Sequence, residues 1–268
     1  MSTTASADTL PFKRSGAGSP LLAIHGLGGD RDSFDAILPG LTAERDVISP
    51  DLPGHGAAPE LVGDVTIVAI ADRLEAFIDA HGLDGVDVVG SSLGARLALE
   101  LARRKKVGTT VALDPGGFWS TRERKTFGVS VAASYKLVMG LQKALPVLTG
   151  NPVTRTALLA QFSARPWALP QDLVLQELRA FAAAPGFSKT LDALWHGPLQ
   201  QGLAAGEARG PIHLVWGRQD RVTFTSQAPR AQQAFPDADL TWIEKCGHFP
   251  HWDQPEQTIR LILDRTGA

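Results

Sequence analysis

The stretch Val86-Asp87-Val88-Val89-Gly90-Ser91-Ser92-Leu93-Gly94-Ala95-Arg96-Leu97 restricts this chain more than any other. An apolar run of strand length ends in Gly-x-Ser-x-Gly. Apolar positions at Leu93, Leu97, Ala98 and Leu101 then follow the helical period with no loop between. A buried strand that turns directly into a helix leaves one residue at its tip, and glycines 90 and 94 flank Ser92, not Ser91. The missing side chains at those glycines let neighbouring backbone pack close around a sharp turn. A serine so placed is exposed at the carboxyl end of a strand, near the free N–H groups and the positive dipole end of a helix. Alone, the pattern also suits a plain glycine-punctuated turn, so the rest of the chain decides.

At 268 residues and 44% hydrophobic content, the chain can bury the core of one large α/β unit and still carry an insertion. A net charge of −2 with 20% charged residues gives no basic stripe for nucleic acid and leaves small-molecule chemistry as the expectation. Cys246 is the single cysteine, which excludes an internal disulfide and a Cys-rich zinc site and suits a reducing cytoplasm. The opening Met1 to Gly18 lacks the apolar core of a signal peptide, and no later run reaches about 18 apolar residues. The expectation is a soluble, cytoplasmic protein without a membrane span, of open oligomeric state.

Met1 to about Leu10 reads as a mobile tail and Leu10 to Arg14 as a short edge strand. Leu21-Leu22-Ala23-Ile24 reads as a buried strand running into His25-Gly26-Leu27-Gly28-Gly29. That loop is either a plain connection or a backbone-lined anion pocket in which Leu27 gives its N–H to a developing oxyanion. A dinucleotide fingerprint would need a third glycine where Arg31 stands. Asp32 to Leu41 has the pattern of a short amphipathic helix, and Val47-Ile48 that of a strand leading into a Pro/Gly-fixed loop. Thr66 caps a helix whose Ile67, Ile70, Leu74, Phe77 and Ile78 share one face, closed by Gly82. Thr110-Val111-Ala112-Leu113-Asp114 follows the elbow helix as another strand. This alternation predicts an α/β fold with a mainly parallel, doubly wound sheet covered on both faces.

From residue 116 to 205 the alternation stops, with helix-like segments and no strand before Pro211-Ile212-His213-Leu214-Val215-Trp216. A whole strand-helix-strand link needs only about 12 residues. The chain therefore divides into a core of residues 1–115 and 206–268 and an inserted helical cap of residues 116–205 above the elbow. The cap carries Phe118, Trp119, Phe127, Tyr135, Met139, Phe162, Trp167, Phe181, Phe187 and Trp195. Most of these read as cap core, the remainder as lining of an apolar pocket. Between Phe118 and Gln200, nine Lys or Arg stand against four Asp or Glu, which reads as solvated surface.

After the cap, Trp216-Gly217-Arg218-Gln219-Asp220 delivers an acid from a strand end. Leu240-Thr241-Trp242-Ile243 then leads to Lys245-Cys246-Gly247-His248-Phe249-Pro250-His251-Trp252, and a helix from about Pro255 to Arg265 closes the chain. An elbow serine, an acid after a late strand and a histidine after the last strand give the order Ser, Asp, His at the carboxyl edge of a parallel sheet. His251 competes with His248, and Asp114, which also ends a strand, competes with Asp220. His25 reads as shaping its glycine loop, His55, His81, His196 and His213 as local structural residues, and Cys246 as a small buried side chain.

Taken together, these segments resemble the α/β-hydrolase fold superfamily in its cap-bearing serine esterase-like branch. The resemblance runs from Leu21 to Leu263 through five segments in family order: His25-Gly26-Leu27-Gly28-Gly29, Asp51-Leu52-Pro53-Gly54-His55-Gly56, the Ser92 elbow, Trp216-Gly217-Arg218-Gln219-Asp220 and Cys246-Gly247-His248. Two departures stand out. Ala95 occupies a position where many relatives have a second glycine, which would narrow the pocket floor, and the short N-terminus leaves little sequence for a first antiparallel strand. The implied mechanism has His248 as general base for Ser92, Asp220 holding the imidazole, and the N–H groups of Leu27 and Leu93 receiving the oxyanion, with no metal or organic cofactor. His248 is preferred to His251 because it follows Gly247 as in the family motif; some relatives carry the acid at the position of Asp114. A serine at 92 argues against the haloalkane dehalogenase and epoxide hydrolase relatives, whose nucleophile is a carboxylate. The implied reaction is hydrolysis of small, mostly apolar carboxylic esters. Carbon–carbon bond hydrolysis of ring-cleavage products, a perhydrolase or haloperoxidase activity, and a non-catalytic small-molecule receptor are the alternatives on the same fold.

Overall fold

Strands that are apolar on both faces need cover on both sides, and the chain supplies it with helices between them. The computed structural model describes residues 10–267, and the tail expected over the first nine residues lies outside them. The elements run β1 (Phe12–Gly16), β2 (Ser19–Ile24), α1 (Leu38–Leu41), β3 (Arg45–Pro50), α2 (Ile67–Ala80), β4 (Asp87–Ser91), α3 (Leu93–Arg103) and β5 (Thr110–Leu113). Five helices follow without a strand: α4 (Thr121–Gly140), α5 (Leu145–Gly150), α6 (Pro152–Leu159), α7 (Gln171–Ala183) and α8 (Phe187–His196). The chain closes with β6 (Ile212–Gly217), α9 (Ala228–Ala234), β7 (Asp239–Ile243), α10 (Pro250–Asp253) and α11 (Pro255–Thr266).

The strands form one seven-stranded sheet in the order β1-β3-β2-β4-β5-β6-β7. Every neighbouring pair is parallel except β1 with β3, where Phe12 faces Pro50 and Gly16 faces Asp46. The antiparallel strand for which the N-terminus seemed too short is thus present. Gly16 and Gly18, with φ of 94° and 106°, make the reversal into β2, and a Cβ at Gly16 would stand 2.2 Å from the Arg45 carbonyl oxygen.

Successive side chains on a strand point to opposite faces, and the core divides accordingly. Leu22, Ile24, Val88 and Ala112 pack with Ile70, Leu74 and Phe77 of α2 and Leu97 and Leu101 of α3. Leu21, Ala23, Val89 and Val111 pack on the other face with Leu41 and Ile262. A third cluster joins Val138, Leu145, Leu159, Val174 and Leu178 within the helical run between β5 and β6.

The helix expected over Asp32 to Leu41 is reduced to α1. Asp30 and Ser33 explain the loss, because their side chains bond nearby backbone: Asp32 N–H donates to Asp30 Oδ1 at 2.9 Å and Asp30 N–H to Ser33 Oγ at 3.1 Å. Such local bonds compete with the helical ladder. Among the described residues, no helix is long and apolar enough to cross a membrane.

Thr66 caps α2 as its position suggests, its hydroxyl accepting the Ala69 N–H at 3.0 Å. Thr66→Ala should lower stability by about 1 kcal/mol, read as a reduced urea midpoint at unchanged m-value.

Candidate active site

The elbow is built by backbone proximity. Ser92 has φ 55° and ψ −111°, a conformation L-residues rarely adopt. Its N–H donates to Leu113 O at 2.9 Å, and its carbonyl accepts the Arg96 N–H at 3.1 Å, so β4 passes into α3 with no loop. A Cβ at Gly90 would lie 2.2 Å from Gly94 O, and one at Gly94 would lie 2.0 Å from Ile24 O. Both glycines are therefore required by the approach of the first turn of α3 to β2 and β4.

Two loops at the same sheet edge bring up partners. His248 Nε2 stands 2.8 Å from Ser92 Oγ, and His248 Nδ1 stands 3.0 Å from Asp220 Oδ2. The Asp220 loop holds itself: Oδ1 accepts the N–H groups of Val222 at 2.7 Å and Thr223 at 3.1 Å, and Oδ2 accepts the Thr223 hydroxyl at 2.6 Å. His248 is fixed through its backbone, donating its N–H to Phe162 O at 2.8 Å, while Gly247 N–H donates to Asp253 Oδ2 at 2.7 Å. Burial would raise the Asp220 pKa, but the adjacent His248, aided by Asp114 and Thr223, holds it down to about 2. Asp220 is thus ionised beside the imidazole.

The competing residues fall elsewhere. Asp114 ends β5 with φ 47°, and its Oδ1 accepts the Gly217 N–H at 2.9 Å. Burial, and then the Asp220 charge, push its carboxyl well above the usual range, so it keeps its proton next to the ionised acid. One ligand atom from each of Asp114, Asp220 and His248 lies within 4.8 Å of the others, a spacing a metal ion would also accept. Here His248 Nδ1 and the Asp220 carboxylate are already turned on each other and on Thr223. His251 packs its ring 5.1 Å from that of Phe34, and burial, followed by His248, lowers its pKa to about 3.

His25 organises the glycine loop. Its Nδ1–H donates to Gly26 O at 2.8 Å while Nε2 accepts the Leu52 N–H at 3.0 Å, which requires the neutral Nδ1–H tautomer. Burial, then His55, lowers its pKa to about 3 and keeps it neutral. Gly26 packs against Ser92, a Cβ there falling 3.3 Å from Ser92 Cβ. This brings the Leu27 loop to the nucleophile candidate. On the other side Leu93, the first residue of α3, has an N–H with no partner one turn back.

Above these groups lies a pocket of about 800 Å³, its open mouth included. Phe127, Val131 and Val138 of α4, Leu159 of α6, and Leu178 and Phe181 of α7 line it, together with Phe34, Phe162 and Phe249. Of the ten large residues singled out in the helical run, Phe127, Phe162 and Phe181 face the pocket, and Trp167 and Met139 are exposed instead. Ala95 is fully buried in the main core and is not a pocket wall, so the expected narrowing of the floor does not arise.

The charges read as solvated surface in this run need a further correction. Arg155 is buried, donating to the carbonyl oxygens of Pro166, Thr149 and Trp167. Glu177 is buried in the pocket wall. Val174, Glu177, Leu178 and Phe181 stand at i, i+3, i+4 and i+7, one face of α7, so helical spacing alone carries the carboxyl inward. Burial, then the charges of Asp30 and Asp35, push its pKa well above 4.5, with the nearby Ser33 hydroxyl opposing them. Sequence reasoning missed Thr223 as well, although a hydroxyl three residues after a turn aspartate is a common local pairing.

The model of the family described as "Alpha/beta hydrolase family" matches residues 21–261. The chain is 30% identical over 258 residues to a pimeloyl-[acyl-carrier protein] methyl ester esterase of Aromatoleum aromaticum, covering 91% of this chain and 96% of that protein. It is 28% identical over 266 residues to a 2-hydroxy-6-oxo-2,4-heptadienoate hydrolase of Pseudomonas putida, covering 94% and 91%. Among solved structures, an esterase from Thermogutta terrifontis superposes with a TM-score of 0.74 at 21% identity, covering 95% of this chain and 92% of that one. An enol-lactonase from Burkholderia xenovorans superposes with a TM-score of 0.76 at 16% identity, covering 97% and 96%.

Glu177 keeps its proton in the fold to a pH well above 4.5, whereas the unfolded chain ionises near that value. Between the two, the unfolded state binds fewer protons, so this residue's contribution to stability is lost as pH rises. Glu177→Gln removes the linkage. Its urea-measured stability relative to wild type should climb from pH 5 to pH 8, by at most about 1.4 kcal/mol per pH unit. A difference that stays flat over that interval would mean an ionised Glu177 in the folded protein.

Proposed function

The chain belongs to the alpha/beta hydrolase family, and on that premise we propose that it is a serine hydrolase cleaving small, mostly apolar carboxylic esters through an acyl-enzyme on Ser92. The observation that carries this reading is the unbroken series from Ser92 Oγ to His248 at 2.8 Å and on to Asp220 at 3.0 Å, beneath an apolar pocket. His248 takes the hydroxyl proton as Ser92 Oγ attacks the carbonyl carbon. Asp220 keeps the Nδ1–H tautomer and stabilises the imidazolium that forms. The N–H groups of Leu27 and Leu93 receive the oxyanion, each such donor contributing ~10²–10³ in turnover. The departing alcohol takes its proton from His248, and water activated by the same ring then releases the acid. Residues 116–205 act as a cap inserted between core segments 1–115 and 206–268, excluding water from the bound acyl group.

Carbon–carbon bond hydrolysis is the second reading, supported by the likeness to the Pseudomonas putida hydrolase. Turnover of p-nitrophenyl esters measured beside that of a vinylogous 1,5-diketone separates the two.

A fluorophosphonate should label Ser92, and Ser92→Ala should lower ester turnover by ~10⁴–10⁶, with Ser91→Ala retaining measurable activity. Label mapped to Ser91, or turnover undiminished in Ser92→Ala, would sink the assignment. Asp220→Asn should cost about 10⁴ in kcat by favouring the wrong imidazole tautomer. Asp114→Asn should be much milder, because a protonated carboxyl and an amide are nearly isosteric. The reverse ranking, in variants whose circular dichroism is native, would move the acid to Asp114.

A further inference from the structure

The loop that carries His248 is held between the sheet and the helical run. On the sheet side, a Cβ at Gly217 of β6 would fall 2.0 Å from Gly247 O. On the other side, a Cβ at Gly247 would lie 2.7 Å from Phe162 O and 2.9 Å from Ala164 N, so only glycine allows this approach. His248 N–H donates to Phe162 O at 2.8 Å, and Phe162 itself lines the pocket. The backbone of the imidazole-bearing residue is thus fixed from the helical run, whereas Ser92 and Asp220, which its ring has to meet at 2.8 and 3.0 Å, come from strand ends.

One buried side chain completes this contact. α10 turns the chain back on itself, with Asp253 N–H donating to Phe249 O at 3.1 Å, and so returns the Asp253 carboxyl to the start of the loop. Its Oδ2 accepts the Gly247 N–H at 2.7 Å and the Ala164 N–H at 2.8 Å, and its Oδ1 accepts the Ser163 hydroxyl at 2.5 Å. Ser163 Oγ in turn accepts the Arg165 N–H at 3.0 Å. The distances to Asp253 lie at the short end for such bonds. These donors belong to the residue before His248 or to the two residues after Phe162, so the carboxyl bridges the same two segments that meet in the His248–Phe162 bond.

We propose that Asp253 is a positioning residue for the general base: by fixing Gly247 against Ser163 and Ala164, it sets the backbone from which His248 reaches Ser92 and Asp220. This role rests on the hydrolase reading of Ser92 and adds to it a fourth residue that acts only through His248.

The test is turnover of p-nitrophenyl butyrate by Asp253→Val and Asp253→Asn, each with native circular dichroism. Asp253→Val removes the acceptor and should lower kcat by ~10–100-fold with KM changed less than about threefold, because a misplacement near 1 Å costs up to about 10² in rate. Asp253→Asn should recover kcat to within about fivefold of wild type, since its amide oxygen takes both N–H groups while its NH₂ donates to Ser163 Oγ. Equal kcat losses in the two variants, an effect on KM alone, or undiminished turnover in Asp253→Val would each overturn the role. Should Asp253→Val fail to fold, Ser163→Ala, which removes only the Oδ1 contact, carries the test. Its kcat should fall by ~3–10-fold at unchanged KM, and an unchanged kcat overturns the role.

Amide hydrogen exchange keeps positioning apart from the hydrolase reading. Gly247 and His248 should exchange at least about tenfold faster in Asp253→Val than in Asp253→Asn, with the amides of β4 unaltered. Equal protection in the two variants overturns positioning alone. The expected exchange in a protein that turns over no ester overturns the hydrolase reading alone.

Discussion

The backbone contact between the first turn of α3 and the ends of β2 and β4 is the constraint on which the rest of the site depends. With Cβ atoms at Gly90 or Gly94, the helix would have to withdraw, because each would fall about 2 Å from a carbonyl carbon or oxygen. Withdrawal would relax the positive φ of Ser92, lower its hydroxyl from the sheet edge and carry the Leu93 N–H away from it. The strain at one residue is thus held by tight packing of the elements around it, the arrangement in which an unfavourable backbone conformation persists. Gly26 closes the same junction from the β2 side and brings the glycine loop against the serine.

Around that elbow, burial arranges the protons. Asp114 and Asp220 are both buried, and they share a small space with His248. Two adjacent carboxylates cannot both ionise there cheaply, so the environment separates them. Asp220, with the imidazole and the Thr223 hydroxyl, carries the charge, whereas Asp114 keeps its proton. His25 and His251, both pushed to about 3 by burial first, stay neutral, and His248 is the imidazole placed between the serine and an ionised acid. This is a physical reason to prefer Asp220 to Asp114 and His248 to His251, independent of any pattern in the chain.

The helices between β5 and β6 do two jobs with one set of side chains. Val138, Leu159 and Leu178 belong both to the cluster that holds these helices together and to the pocket lining. A change of pocket shape in this region is therefore also a change of packing. The loop carrying His248 is tied to the same region, since Asp253 accepts from Gly247 N–H, Ser163 Oγ and Ala164 N–H at 2.5–2.8 Å. Asp253 thus joins the helical run to the histidine loop by hydrogen bonds on both sides.

Much of this was legible in the sequence because it is written in local signals. Strand runs, the Thr66 cap, the glycine-flanked Ser92 and the order of Ser92, Asp220 and His248 depend on neighbours in the chain or on their order along it. The helix lost at Asp32 was a local error of the same kind, since Asp and Ser side chains compete with helical backbone bonds. What the sequence could not supply was distance and dielectric. Asp114 and Asp220 are each an acid after a strand, and only their separation in space and their burial decide which one ionises. Glu177 sat in view on the apolar stripe of α7, yet charge count placed it on the surface, because it is buried beside segments far away in sequence such as those carrying Ser33 and Asp30. The chain alone determined the architecture and the order of Ser92, Asp220 and His248 along it. The tertiary structure decided how burial shifts their protonation and which side chains line the pocket, because both depend on what distant segments exclude from water.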